Sequence, residues 1–300
     1  MKEIVHIQSI SQLHRLMEIE KPVHPLISVV RHTRDMKLSF GDTRFSTELY
    51  FISLKENIKG SFKYGRNSYD FEEGTLLFAA PGQVMASDND VAPDLGGWSI
   101  FFHPNLIRKS HLATTISQYS FFSYAVHEAL HLSEKEKRTV TECELKIEQE
   151  INQNIDKHSQ ELIIHNLEAI IKYGLRYYDR QFATRSNQSK DFIVKFENYL
   201  NHYFAVPQQE EKGIPTVKAC GKALNMSGRY LSDLLKAETG KALKEHIHLF
   251  IIEKAKTSLL NSTLSVSEIA YSLGFDYPQH FSKIFKSKTG FSPTEYRNYN

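Results

Sequence analysis

Three groups of side chains have the residue types and spacing to do chemistry. His127-Glu128-Ala129-Leu130-His131 spells HExxH, in which two histidines on one helical face hold zinc and the glutamate activates a metal-bound water. Just beyond it, Ser133-Glu134-Lys135-Glu136 is a capping box that opens a helix. The string is therefore expected to precede helical structure and to serve a surface or packing role. A chance match is unsurprising among 14 histidines. The second group would be the clustered HxH plus glutamate of a metal-binding β-barrel. No histidine stands between Phe40 and Phe102, and an isolated His103 reads as a hydrogen-bonded structural residue. Cys143 and Cys220 form no CxxC pair, which argues against a thiolate zinc site or disulfide framework and for a reducing compartment. No catalytic residue, metal ligand or cofactor is expected. The third group is basic: Lys236, Lys283, Lys286 and Lys288, a solvated face in most proteins and a phosphate-binding face beside a DNA-reading motif.

The chain that must position these groups has 300 residues, enough for one large domain or two ordinary ones. With 41% hydrophobic and 24% charged residues it is neither disordered nor collagen-like. The formal charge of +2 argues neither for nor against nucleic acid, but it is unevenly spread. Residues 187–300 hold 15 Lys+Arg against 11 Asp+Glu, while the first 186 hold 22 against 24. The surplus lies at the C-terminal end, the sign expected of a part that meets a polyanion. The N-terminus lacks the apolar core of a signal peptide, and no run approaches the ~18 apolar residues that cross a bilayer. A soluble, cytoplasmic chain without a membrane partner is the expectation.

Pattern divides the chain further. Short β-like runs (Leu26–Val30, Leu49–Leu54, Thr75–Phe78 and Trp98–Phe102) are separated by turn material such as Pro81-Gly82 and Gly96-Gly97. They predict an antiparallel sandwich or barrel over residues 1–132. A helical segment follows over 133–182. Its first helix carries Val140, Ile147, Ile151 and Ile155 on one stripe. The next, from Gln160 to Arg180, is apolar over most of its circumference, so it either lies deep in its domain or packs on another subunit. That apolarity motivates a homodimer. Polar, aperiodic residues at 183–190 read as a linker, and 191–300 reads as all-helical.

An internal repeat is the most informative feature. Val217–Leu224 matches Val266–Leu273 at an offset of 49, and Tyr230–Lys236 with Thr239-Gly240 matches His280–Lys286 with Thr289-Gly290 at an offset of 50. Each copy reads as helix, turn, helix. Gly221 and Ala270 are small where the second helix must cross, and Asn225 and Gly274 suit a left-handed turn. Leu231, Leu234 and Leu235 in one copy, and Phe281, Ile284 and Phe285 in the other, hold the second helix down and leave its far face free. That is a helix-turn-helix whose second helix enters a major groove. Between the copies, Ala242 to Leu260 predicts a helix of about 30 Å, close to the ~34 Å between successive major grooves on one face of B-DNA.

The stretch Ile269-Ala270-Tyr271-Ser272-Leu273-Gly274-Phe275, with Phe281–Lys286 and Thr289–Arg297, resembles the C-terminal signature of AraC/XylS-type transcription regulators. The resemblance is strong from about Asp191 to Asn300; the front half is similar only in layout to the family's cupin-like sensor followed by dimerising helices. It implies an α+β protein with a cupin-like β-barrel, a helical dimerisation segment and an all-α domain of two helix-turn-helix units joined by a long helix. It also implies a sequence-specific regulator of double-stranded DNA, an activator responsive to a small organic effector, with RNA polymerase as a further partner. The rival reading is a metal-dependent enzyme, a zinc hydrolase at HEALH or a cupin oxygenase.

By the same resemblance, base contacts fall at Arg229 and Ser232, and at Gln279, Ser282 and Lys283. Arg229 has the geometry for guanine and Gln279 for adenine. Lys236 and Lys286, one turn further along, are expected to meet phosphate. Ligand-binding residues of the sensor are not assignable. Two positions depart from the family pattern. Ile251 replaces an arginine usual in the linking helix, and Asp233 stands where a basic residue is common. A carboxylate there either reduces the bases read by the first unit or accepts from cytosine N4.

Overall fold

β-Branched and aromatic residues alternate along the four expected runs, and each run is a strand: β2 (Ile27–Arg31), β4 (Tyr50–Lys55), β7 (Thr75–Ala79) and β9 (Gly97–Phe102). The computed structural model describes residues 4–32, 44–56, 63–64, 67–68, 74–86, 96–125, 128–154, 156–184, 186–205 and 213–299. They fall into two units, Met1–Gln181 and Phe182–Asn300.

In the first unit those four strands join β10 (Leu130–His131) in a five-stranded antiparallel sheet ordered β10-β7-β4-β9-β2. Three strands not anticipated from sequence, β1 (Ile4–Ile7), β3 (Arg44–Thr47) and β8 (Val84–Ala86), form a second sheet in which β1 and β3 run parallel. Lys63–Tyr64 and Asn67–Ser68, β5 and β6, pair separately. Among the described residues the ladders end at β10 and β2, and no closed barrel is seen among them.

Register explains what the large sheet buries. Ile52, Leu54, Leu76, Phe78, Trp98, Ile100 and Phe102 share one face and are buried. At about 1.5–3 kcal/mol for each large side chain removed from water, that face contributes substantially to the unit's stability. Val30 and Phe101 point the other way, into a cluster with Ile7, Leu49 and the apolar side of α1 (Ile10–Leu16): Ile10, Leu13 and Met17. Beside this cluster the sheet carries a short polar network. Ser99 Oγ donates to Ser53 Oγ at 2.9 Å and sits 2.7 Å from His32 Nε2.

Two long helices follow the sheets in this unit. The Ser133–Glu136 capping box forms as expected and starts α2 (Glu134–Asn152). Its buried stripe is Val140, Ile147 and Ile151; Ile155 lies outside the described residues. A carboxylate interrupts the stripe. Glu144 is fully buried, with Arg31 of β2 at 2.9 Å, and the same guanidinium reaches Glu148 at 2.7 Å. Burial pushes the Glu144 carboxyl up to about 7, and Arg31 opposes that shift.

The long apolar helix is α3 (Ser159–Thr184). Ile163, Leu167, Ile170, Ile171, Tyr177 and Tyr178 are buried within the chain itself. At Gly174 a Cβ would come within 2.7 Å of the Phe78 ring, so helix and sheet touch there. Tyr178 stacks on Phe121 and donates to Glu128 O. One side of the helix is packed within the chain, while Leu162 and Leu175 on it remain exposed, 48% and 43%.

The second unit begins with α4 (Ser186–Tyr203). Its first turns occupy residues read as linker, and α3 extends to Thr184 from the other side. Helix propensity tolerates Asn, Gln and Ser when a neighbouring stretch such as Phe192–Leu200 supplies an apolar stripe. Phe196 and Leu200 fix that stripe against α5 (Val217–Ala223) and α6 (Gly228–Thr239). The spacer is α7 (Leu243–Asn261), 19 residues long and so about 28 Å. It packs on α6 and also on α8 (Val266–Ser272), α9 (Pro278–Thr289) and α10 (Pro293–Tyr299).

Candidate nucleic-acid interface

Each helix pair is locked by its backbone before any side chain reaches solvent. In the first pair, Thr216 accepts the Ala219 N–H to start α5, and Ser227 accepts the Tyr230 N–H to start α6. Asn225 turns the chain at φ 57°. A Cβ on Gly221 would lie 2.5 Å from the Gly228 nitrogen and 2.7 Å from Met226 O, so only glycine lets the helices cross there. Tyr230, Leu231, Leu234 and Leu235 are buried beneath α6. In the second pair, Ser265 and Glu268 make a capping box for α8, Ala270 is buried at the crossing, and Gly274 turns at φ 85°. Phe281 and Phe285 are fully buried beneath α9, with Ile284 half-buried beside them.

The spacer holds both pairs. Ile251, the departure from an arginine, is fully buried in α7, where an unpaired guanidinium would be costly. Arg297 of α10 donates to Leu259 O at 3.1 Å and Leu264 O at 2.6 Å, satisfying carbonyls near the end of α7. Ser292 and Glu295 close the capping box of α10.

The free faces differ. On α6, Arg229 and Lys236 are exposed. Ser232 is half-buried, and its Oγ accepts the Leu243 N–H at 3.3 Å, so the hydroxyl is tied to the first turn of α7 and keeps its proton and one lone pair to offer. Asp233 is half-buried on the same helix. On α9, Gln279, Lys283 and Lys286 are exposed and Ser282 is half-buried. Pro293 occupies the place matching Leu243 and has no N–H to engage Ser282. Lys288 is exposed but turns back to Glu245 of α7 at 2.8 Å. Two outward residues escaped the sequence reading: Tyr277, 59% exposed at the N-cap of α9, and His280, exposed one turn on. Their signal was available, because neither side chain is needed to complete the buried stripe.

The other constellations take ordinary places. His131 lies in β10, where its N–H donates to Gln181 Oε1 at 2.9 Å, so the second histidine of HEALH is not helical. Glu128 is buried and accepts the Ala125 N–H at 2.7 Å. His127 lies outside the described residues. His103 caps a short turn, accepting the Asn105 N–H. Among the described residues, no three His, Cys, Asp or Glu side chains are grouped to hold a metal ion, and no helix is long and apolar enough to cross a membrane.

Comparison with known proteins singles out the same part of the chain. A family profile described as "Helix-turn-helix domain" matches residues 220–299. Over 93 residues the chain is 38% identical to the uncharacterized transcriptional regulatory protein YesN of Bacillus subtilis, a match covering 29% of this chain and 25% of that one. It is 30% identical over 126 residues to an HTH-type transcriptional regulator in the cgkA 5' region of Pseudoalteromonas carrageenovora, covering 39% of this chain and 70% of that one. A solved structure, the C-terminal domain of AraT, a response regulator from Geobacillus stearothermophilus, is similar at 30% identity and a TM-score of 0.31 over 35% of this chain and 84% of that one. The chain thus spans a quarter of the length of its Bacillus relative.

Proposed function

The chain belongs to the AraC/XylS-type family of transcription regulators, and on that basis we propose that it binds double-stranded DNA sequence-specifically, with α6 and α9 in successive major grooves. The observation that carries this is the repeated pair: two helices pinned by buried aliphatic and aromatic residues, each presenting an unburied face with basic side chains. Arg229 and Ser232 read bases from α6, and Gln279, Ser282 and Lys283 from α9. Lys236 and Lys286 meet phosphate. Selection of bound duplexes from a random pool tests the proposal. An enriched bipartite consensus supports it, and equal recovery of all sequences at matched salt overturns it.

In this proposal the first unit is a cupin-like sensor for a small organic effector, and the chain is a cytoplasmic activator that is not an enzyme. RNA polymerase and a second copy of the chain are its protein partners. Repeating the selection with and without cell extract tests the effector. Sedimentation of the full chain tests the homodimer, and a monomer at ~10⁻⁵ M, a weak-association scale, counts against it.

A further inference from the structure

The repeat supplies its own control for what each position of a recognition helix is there to do. At the offset of 50, Tyr277 matches Ser227 and His280 matches Tyr230. In the first pair these positions serve the fold. Ser227 caps α6 through its hydroxyl, and Tyr230 is 1% exposed, its ring 5.2 Å from that of Phe182. In the second pair both positions face solvent. Tyr277 makes no side-chain cap bond to α9 and leaves most of its ring uncovered. His280 is exposed, and its ring stands edge-on to Tyr277 at 5.5 Å and 68°. Phe281 and Phe285 hold α9 to its partner, and neither Tyr277 nor His280 is part of that buried stripe. A large aromatic kept in water at that place costs apolar exposure with no packing return.

The place is the N-terminal end of the helix proposed to enter the groove, where side chains come nearest base edges. Gln279 lies between the two residues in sequence, and its amide suits adenine N6 and N7. A phenol ring at the neighbouring position offers an apolar face, and the one apolar feature on a major-groove base edge is the thymine C5-methyl group. We propose that Tyr277 is a further specificity-determining residue, packing its ring on the methyl of a thymine beside the base pair read by Gln279, with His280 as the positioning residue that holds the ring edge-on. The inference rests on the DNA-binding reading above and names a base feature for its second unit.

The test uses the full chain. Duplexes are selected from a random pool with the wild type, Tyr277→Ser (the residue the first pair uses), Tyr277→Phe, His280→Ala and His280→Tyr, with thermal midpoints checked for each. The wild type is expected to select a thymine next to the position whose preference Gln279→Ala abolishes. Tyr277→Ser loses that preference by about tenfold at an unchanged midpoint and salt slope, and Tyr277→Phe keeps it. His280→Ala weakens the preference and His280→Tyr restores it. Uracil in place of that thymine weakens wild-type binding and leaves Tyr277→Ser indifferent. An unchanged consensus with Tyr277→Ser, or equal affinity for uracil and thymine duplexes, overturns the role of Tyr277 and leaves the DNA-binding reading intact. A wild type that enriches no sequence at all removes that reading, and this inference with it.

Discussion

The two helix-turn-helix units are built on one frame and carry different surfaces. Buried positions correspond closely: Leu231 with Phe281, Leu235 with Phe285, and Gly221 with Ala270. The outward faces diverge. α6 presents Arg229 and Lys236 together with the carboxylates Asp233 and Glu238, whereas α9 contains three lysines and no carboxylate. Ser232 is drawn into capping α7, and proline removes the equivalent demand on Ser282. Buried residues at matching places therefore hold the fold, and outward residues are free to carry recognition, whether they match between copies, as Lys236 and Lys286 do, or differ. The second unit is the stronger candidate for sequence reading and for phosphate affinity.

The equivalence of the two frames is most exposed to test at the helix crossings. Gly221→Ala is expected to cost about 1–3 kcal/mol, because the atoms a Cβ meets are backbone and cannot rotate away. Ala270→Gly, at the matching place, should cost only about 0.5–1 kcal/mol, through backbone entropy in a helix. Equal shifts in urea midpoint would mean that the crossings are not equivalent in the way the repeat implies.

Recognition comes next. Gln279→Ala and Arg229→Ala should each remove about 1–3 kcal/mol of base discrimination, at positions about one helical turn apart. An unaltered selected consensus with both variants would show that these helices do not read the site. Asp233→Asn tests the divergence of the outward faces directly. If the carboxylate only repels phosphate, the variant tightens binding to every duplex; if it accepts from cytosine N4, the consensus loses a cytosine instead.

Phosphate contacts give a smaller and more uniform effect. Lys286→Ala and Lys236→Ala should weaken all duplexes alike and lower the salt slope by about one unit each. A change in consensus from either lysine variant would move that residue from phosphate to base.

The smallest effect expected is acid sensitivity at the spacer helix, where burial lowers the pKa of both His246 and His248. His246 lies 2.7 Å from Thr239 Oγ1 at the end of α6, and its edge meets the Phe196 ring. Burial holds its pKa below the ordinary 6.5, with Lys241 adding to the shift and Glu197 and Glu245 opposing it. Because the folded pKa is the lower one, the neutral ring's contribution is present above 6.5 and is lost as pH falls below it. The second helix-turn-helix has Tyr296 at the matching place. Thermal midpoints between pH 8 and 5 should fall less steeply in His246→Gln than in the wild type, and parallel slopes would refute the assignment.

Much of the C-terminal unit was legible because its determinants are local. The turn residues Asn225 and Gly274 and the spacing of apolar residues in each copy depend on neighbours within one or two turns. The residues placed outward by that spacing, Arg229, Lys236, Gln279, Lys283 and Lys286, are exposed. Ser232 was legible only in part. Its spacing marks it as outward, but the bond to Leu243 joins residues 11 apart across a turn, and periodicity carries no information about such partners.

Local pattern alone specifies the helix-turn-helix repeat, the length of its spacer and four strands of the main sheet, because 3.6- and 2-residue periods are written in consecutive side chains. Tertiary packing was needed to settle which side of α3 is covered within the chain, that Glu144 shares a buried site with Arg31, and that β1 pairs in parallel with β3. These depend on which distant segments meet. A side chain's type states what it can bury or bond, and its neighbours in space decide with what.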